Sequence, residues 1–343
     1  MTSDWRILAT PLGKWSCGNC GLAYRDPDLP PPADFSTGYQ LYAHPPGGTA
    51  EQTRQSGYAA WIAELISPPA RVLDVGCGNG SLLLALRDVW PGAKLTGCDL
   101  SVESVAFAAA AGFSVWPGTA ATVAADRRAD LVVSINVIEH TADPRAFVGA
   151  LAGTLADGGQ LVVICPDGAR AGVELLIADH LFSFTASHLE SFAAAAGMRV
   201  CHWARRGDFQ MVVARRGAAT VRRQEESSTL LAARQRYLSA WQRLDAELGR
   251  ELPDDVVCFG AGETAGLLRA YAPQVWQRVA MCATDRGGDP FGDRPHVDIE
   301  AVPADTTVLV GVRGHDQAAV AARLRGRFAH VVTWYDRVPA DDV

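Results

Sequence analysis

The chain has 343 residues, with 31 Lys and Arg against 38 Asp and Glu, a net charge of −7. At roughly 100–200 residues per domain this length predicts two domains, and a composition 48% hydrophobic and 20% charged excludes a disordered or fibrous chain. No apolar run approaches the roughly 20 residues that span a bilayer. The basic residues never extend beyond pairs such as Arg127-Arg128 and Arg205-Arg206, which excludes the sustained positive stripe of a nucleic-acid binder.

The expected partner is therefore a small-molecule substrate, with neither nucleic acid nor membrane; oligomeric state is not legible. Asp4 and Arg6 interrupt the first stretch, so no secretory leader is expected and the reading is cytoplasmic. Most of the 8 cysteines, among them Cys77, Cys98, Cys165, Cys258 and Cys282, lie inside apolar segments and read as small buried hydrophobes. Cys17 and Cys20 are the exception.

In chain order, residues 1–50 are punctuated by Pro and Gly, which predicts an arm or lid without a long helix or central strand. Tyr58, Trp61, Ile62 and Leu65 stand at helical spacing. From Arg71 to about Arg215, apolar strands alternate with helical stretches: VLDVG from 72, LTGCD from 95, DLVVSI from 130 and LVVICP from 161. MRVCHWA from 198 and FQMVVAR from 209, separated by one turn, then predict a mostly parallel sheet ending in an antiparallel hairpin. Leu230, Leu231, Leu238, Trp241, Leu244 and Leu248 predict a helix with one apolar face. A second α/β series follows, with strands opening near 256, 278, 306 and 330. The expected division is an arm over 1–50, an α/β domain over 51–216, a helical connector over 217–252 and a C-terminal Rossmann-like module over 253–343.

Within LDVGCGNGS, Gly76, Gly78 and Gly80 fall where a strand turns into a helix, so the backbone can approach a ligand while the helix start offers unpaired N–H groups. Such a turn serves a dinucleotide, a nucleoside or only itself. Asp74, two residues before the first glycine, would repel a pyrophosphate and suits a ligand with a cationic head. Asp99 closes the next strand, where a carboxylate can accept both hydroxyls of a ribose. A surface acid is its alternative.

With those features in place, residues 71–166 resemble the core of the class I S-adenosylmethionine-dependent methyltransferases, through RVLDVGCGNGSLL, LTGCDLS, LVVSINVIEHTADP and LADGGQLVVICP in that order. The resemblance implies an α/β fold with S-adenosylmethionine as cofactor. Gly76, Gly78 and Gly80 would lie beside the methionyl portion, Asp99 on the ribose, Leu100 flanking the adenine, Thr119 and Ala120 near its edge, and Asn136 toward the sulfonium. Neither 119 nor 120 is an Asp, so recognition of the adenine amino group would pass to backbone or to Thr122.

Methyl transfer from a sulfonium depends mainly on alignment, assisted by a base when the nucleophile is a hydroxyl or an acidic carbon. Asp179-His180-Leu181 followed by Ser183-Phe184-Thr185 resembles a segment of the three-domain sugar C-methyltransferases, Glu-His-Val followed by Tyr-Phe-Ser, in which the histidine is assigned a base-like role beside a tyrosine. Here Ile177 takes the tyrosine's place. The candidate catalytic residues are thus His180, Asp179 and His140, the last bordering the substrate or capping the next helix; His188 reads as a packing histidine.

WSCGNCGLAYRDP, from residue 15, resembles the second half of the zinc knuckle that opens the same enzymes. A structural zinc needs four ligands, and only Cys17 and Cys20 are present, with His44 as a conceivable third. A degenerate knuckle without zinc is the expectation. Tyr39 and Tyr42 read as lid residues over the substrate. The C-terminal module has its own glycine turn at Gly260, Gly262 and Gly266, but Glu263 follows where the family has a lysine facing a diphosphate, and Arg313 and His315 are its candidate substrate contacts. The leading expectation is a small-molecule methyltransferase of bacterial natural-product biosynthesis. Its alternatives are a C-methyltransferase of a nucleotide-linked deoxysugar, a nicotinamide-dependent oxidoreductase, which Asp74 opposes, and a noncatalytic binding protein.

Overall fold

The computed structural model describes residues 1–30, 32, 35, 41–218, 227–338 and 341–342. The chain divides into two compact units, one of Leu12–Ala169 and Ala178–Ser228, the other of Met1–Pro11, Arg170–Ile177 and Thr229–Val343.

In the first, β1 (Lys14–Ser16) and β2 (Ala23–Arg25) form a hairpin in the arm, and α1 (Thr49–Ala63) leads into β3 (Arg71–Val75), α2 (Ser81–Val89), β4 (Lys94–Asp99), α3 (Val102–Ala110) and β5 (Ser114–Pro117). Then come β6 (Ala129–Ile135), α4 (Pro144–Gly153) and β7 (Leu155–Pro166). The short β8 (Arg170–Ala171) belongs to the other unit, after which β9 (Phe182–Ser183), α5 (Ala186–Ala195), β10 (Met198–Arg206) and β11 (Phe209–Arg216) complete this one.

Seven strands make one sheet in the order β10-β11-β7-β6-β3-β4-β5. The five from β7 to β5 are parallel, and β11 and β10 are added antiparallel. That is the expected sheet. Successive side chains of a strand point to opposite faces: Val72, Leu131, Val133, Val162 and Ile164 pack on one face with α1 and α2 residues, while Leu73, Val132, Leu161 and Val163 pack on the other. Near-continuous apolar strands are what a sheet covered on both faces demands. At about 1.5–3 kcal/mol for each fully buried aliphatic side chain, these two layers supply the unit's main stabilisation.

Three features differ from expectation. β5 was not legible, because it is a four-residue edge strand that ends in Pro117. β7 begins at Leu155, well before its apolar run, and passes through Gly158-Gly159. The arm carries two three-residue strands that the sequence reading did not specify: β2 pairs with β1 and also with β9, giving a small sheet whose third member lies far along the chain.

The second unit is built on the five-stranded parallel sheet β14-β13-β12-β15-β16, where β12 is Val256–Phe259, β13 Val279–Thr284, β14 His296–Asp298, β15 Thr307–Val310 and β16 His330–Val332. Its long helix α6 (Ser227–Glu251) buries Leu230, Trp241, Leu244 and Leu248 of the stripe read from the sequence, and Tyr237 with them, whereas Leu231 is exposed and Leu238 half-buried. No described helix is long and apolar enough to cross a membrane.

Candidate functional site

The carboxyl ends of β3, β4 and β6 surround a cavity of about 330 Å³. Its floor is the glycine turn. Gly76, Gly78 and Gly80 all have positive φ, at 84°, 51° and 85°, a region that L side chains enter at a cost of about 1–2 kcal/mol. Space is limiting as well: a Cβ on Gly76 would stand 2.3 Å from Val137 Cγ2, and one on Gly78 3.0 Å from the Tyr42 ring. Gly80 serves packing instead, since its Cβ would meet Ala108 at 3.0 Å and the residue does not line the cavity. Asn79, missed in the sequence, secures the start of α2: its Oδ1 accepts from Ser81 N at 3.2 Å and Ser81 Oγ at 2.9 Å, and its Nδ2 donates to His44 O at 3.1 Å.

Asp74 and Asp99 flank this turn on adjacent strands. Asp99 accepts from Gly78 N at 2.9 Å and from Ser101 N at 2.8 Å, so its carboxylate is aimed by backbone while oxygen lone pairs remain for a ligand. Burial raises its pKa, and those N–H donors restrain the rise. Asp74 is buried beneath the turn, and burial first, the charge of Asp99 second, push it up to about 8. A ligand cation would reverse that shift.

Leu100 and Thr119 line the cavity; Leu100 is 47% exposed although apolar, a face suited to a planar ring. Ala120 lies behind, in the core cluster. Thr122 Oγ donates to Thr119 O at 2.8 Å and accepts from Thr119 N at 3.1 Å, so it shapes this loop. Asn136 lines the cavity at φ 54°, and its Nδ2 donates to Tyr58 Oη at 3.4 Å. Among the described residues, three buried polar atoms that belong to the lining, Gln55 Oε1, Ser104 Oγ and Asn136 Oδ1, have no hydrogen-bond partner. Such atoms cost about 1–3 kcal/mol each unless a ligand or water satisfies them, so the pocket fits a polar, nucleoside-sized group. Tyr42 also lines it, its hydroxyl accepting from Arg54 at 3.2 Å. Tyr39 lies outside the described residues.

On another wall stands His140, at the end of the helical turn Ile138–His140 that follows β6. Its Nδ1 donates to the backbone O of Asp179 at 2.7 Å. The His180 ring packs edge-on against it, centroids 4.8 Å apart, with Phe35 on another side at 4.9 Å. His180 and Asp179 are buried and do not line the cavity. Burial holds both imidazoles below their ordinary pKa. Leu181 N donates to Glu139 O at 2.7 Å, Arg25 N to Leu181 O at 2.7 Å and Lys14 Nζ to His180 O at 2.5 Å, so the hairpin of the arm and the turn after β6 together hold the 179–181 segment.

The remaining expected residues are not among those that line this cavity. His188 Nδ1 accepts from Thr185 N at 3.0 Å and its Nε2 donates to Cys20 O at 3.0 Å, a capping and tethering role. Cys17 and Cys20 form a turn closed by Gly21 N donating to Cys17 O at 2.9 Å. Among the described residues no third His, Cys, Asp or Glu joins them, and both His44 nitrogens bond locally, to Pro45 O and Leu41 O. In the second unit Arg313 precedes the helix Gly314–Leu324 and pairs with Glu263 at 3.9 Å, while His315 is exposed beside Asp316 at 3.4 Å.

Sheet order, glycine turn and paired acids define the class I methyltransferase fold, joined here to a second α/β module. A family profile described as "Methyltransferase domain" matches residues 50–202. The chain is 36% identical over 115 residues to trans-aconitate 2-methyltransferase of Streptomyces avermitilis, covering 31% of this chain and 43% of that protein. It is 35% identical over 99 residues to ubiquinone biosynthesis O-methyltransferase of Idiomarina loihiensis, covering 26% and 40%. Each match thus spans under half of the relative's own length. Among solved structures, the CcbJ methyltransferase from Streptomyces caelestis is similar at a TM-score of 0.41 and 18% identity, over 52% of this chain and 96% of that one.

Proposed function

We propose that the protein is an S-adenosylmethionine-dependent methyltransferase acting on a small molecule, in the setting of bacterial natural-product biosynthesis. The observation that carries this reading is the pair of carboxylates, buried Asp74 and half-buried Asp99, at the ends of adjacent strands around the glycine turn of a 330 Å³ cavity. When bound there, S-adenosylmethionine supplies a methyl group on a sulfonium. Asp99 takes the ribose hydroxyls, Leu100 and Thr119 border the adenine, and Asp74 faces the cationic amino-acid end with Gly76 and Gly78. Asn136 orients the reacting end through its unpartnered Oδ1. The match of residues 50–202 to a methyltransferase-domain profile supports the same reading.

Among the imidazoles, His140 borders the cavity and is aimed by the Asp179 carbonyl, so it is the one that can accept a proton from an acceptor, with His180 packed behind it. Such general-base assistance contributes about 10²–10⁴-fold. The arm over 1–50, the domain over 51–216, the connector over 217–252 and the module over 253–343 are the proposed functional divisions. A nucleotide-linked sugar as acceptor is the less favoured reading, because Glu263 opens α7 (Glu263–Tyr271), the helix start at which a diphosphate would sit.

Calorimetric titration with S-adenosylhomocysteine tests the proposal. We expect saturable one-site binding; absence of binding, or binding of a nicotinamide dinucleotide in its place, would overturn it.

A further inference from the structure

We propose that Glu139, His140 and His180 form a binding site for a divalent transition-metal cation in the wall of the cavity. Among the described residues they are the cluster whose candidate ligand atoms come together, all within 4.8 Å of one another. Bound at about 2.0–2.2 Å each, such atoms sit roughly 3–3.5 Å apart, so the donors need draw in by about 1 Å.

The supporting shell is already built. Metal-ligating histidines usually donate their second ring N–H to a carbonyl or carboxylate, which orients the ring and sets its tautomer. His140 does this: Nδ1 donates to Asp179 O at 2.7 Å, with Asp179 Oδ2 4.0 Å away, and Nε2 is left as the lone-pair nitrogen. His180, nine-tenths buried, has an Nδ1 with no hydrogen-bond partner among the described residues. The backbone bonds from Leu181 to Glu139 O and from Lys14 to His180 O fix the two loops that carry the donors. The Lys14 ammonium is a neighbouring positive charge for both rings, and the Asp179 carboxylate acts against it at His140.

Two imidazoles and one carboxylate make a borderline donor set suited to Zn²⁺, Fe²⁺, Mn²⁺ or Co²⁺ rather than to Ca²⁺ or Mg²⁺. His140 borders the cavity, so remaining coordination positions would face it and take oxygen donors. If the methyltransferase reading holds, on which this last step rests, the acceptor is an oxygen-rich molecule, a hydroxy acid or vicinal diol, and the cation relieves His140 of the base role.

The test is titration of the full chain with Co²⁺, followed by visible absorption, with S-adenosylhomocysteine calorimetry on the same preparations. We expect a ligand-field band free of thiolate charge transfer, a higher Tm with metal, and binding weakened at least about tenfold in H140A and H180A. Cys17→Ser should leave the band unchanged. No band and no Tm change at millimolar Co²⁺ would overturn the site, as would a thiolate band that disappears in Cys17→Ser. Should either histidine variant misfold, X-ray absorption of the unsubstituted Co²⁺ protein decides: imidazole and oxygen scatterers support the site, and a sulfur shell defeats it. Cobalt bound without S-adenosylhomocysteine faults the methyltransferase reading alone, and the converse faults the metal site alone.

Discussion

A carboxyl group under a tight turn keeps its proton far above the ordinary carboxylate range when burial strips away most of its hydration, and Asp74, at about 8, is such a group. An unfolded Asp titrates near 3.9. The folded chain therefore holds a proton that the unfolded chain releases, so this group's contribution to stability is full below about pH 4 and lost as pH rises through about 8. S-adenosylhomocysteine carries an ammonium group that favours ionised Asp74. Its binding should expel the proton, and its affinity should climb between about pH 6 and pH 8, by at most about tenfold per unit. Calorimetry in buffers of different ionisation heat should register close to one proton released near neutrality, and none for Asp74→Asn. An affinity that ignores pH would remove Asp74 from the ligand's cationic end. For Asp99→Ala, loss of charge-assisted hydrogen bonds worth about 1.5–3 kcal/mol predicts binding weakened at least about tenfold; an unchanged dissociation constant defeats the ribose assignment.

At the scale of elements, the glycine turn joins β3 to α2 through backbone that only glycine adopts cheaply. Gly76→Ala combines a left-handed conformation with a contact of 2.3 Å to Val137, and should cost about 2–5 kcal/mol in urea unfolding. Gly78→Ala should cost less, because its Cβ meets the Tyr42 ring at 3.0 Å and that ring can shift. Equal costs would mean that the Val137 contact relaxes and that the left-handed backbone alone sets the penalty. His188→Ala removes a cap and the tether to Cys20 O, so a loss of about 1–2 kcal/mol with cofactor affinity unchanged is expected; weakened affinity would draw His188 into the site. The parallel core strands were legible because strands buried on both faces are continuous apolar runs. β2 and β9 were not, since each is stabilised by pairing with a segment remote in the chain, and local pattern carries no record of a distant partner.

For the whole molecule, the second unit has the strand, glycine turn and helix of a nucleotide site but places Glu263, paired with Arg313 at 3.9 Å, at the helix start. An acid there opposes a diphosphate. We expect deoxythymidine diphosphate to give no heat on titration under conditions in which S-adenosylhomocysteine binds, and saturable binding would restore the nucleotide-sugar reading. The amino-acid sequence by itself determined the α/β class, the antiparallel hairpin, the glycine turn and the acids at 74 and 99, because periodicity and turn chemistry act over a few residues. Only the tertiary structure decided that Gly80 and Ala120 pack away from the cavity, and that His140 lines it while His180 stands behind. It alone brought Glu139, His140 and His180 together. Those outcomes depend on which loops the sheet order carries to the same strand ends, and that is a property of long-range packing.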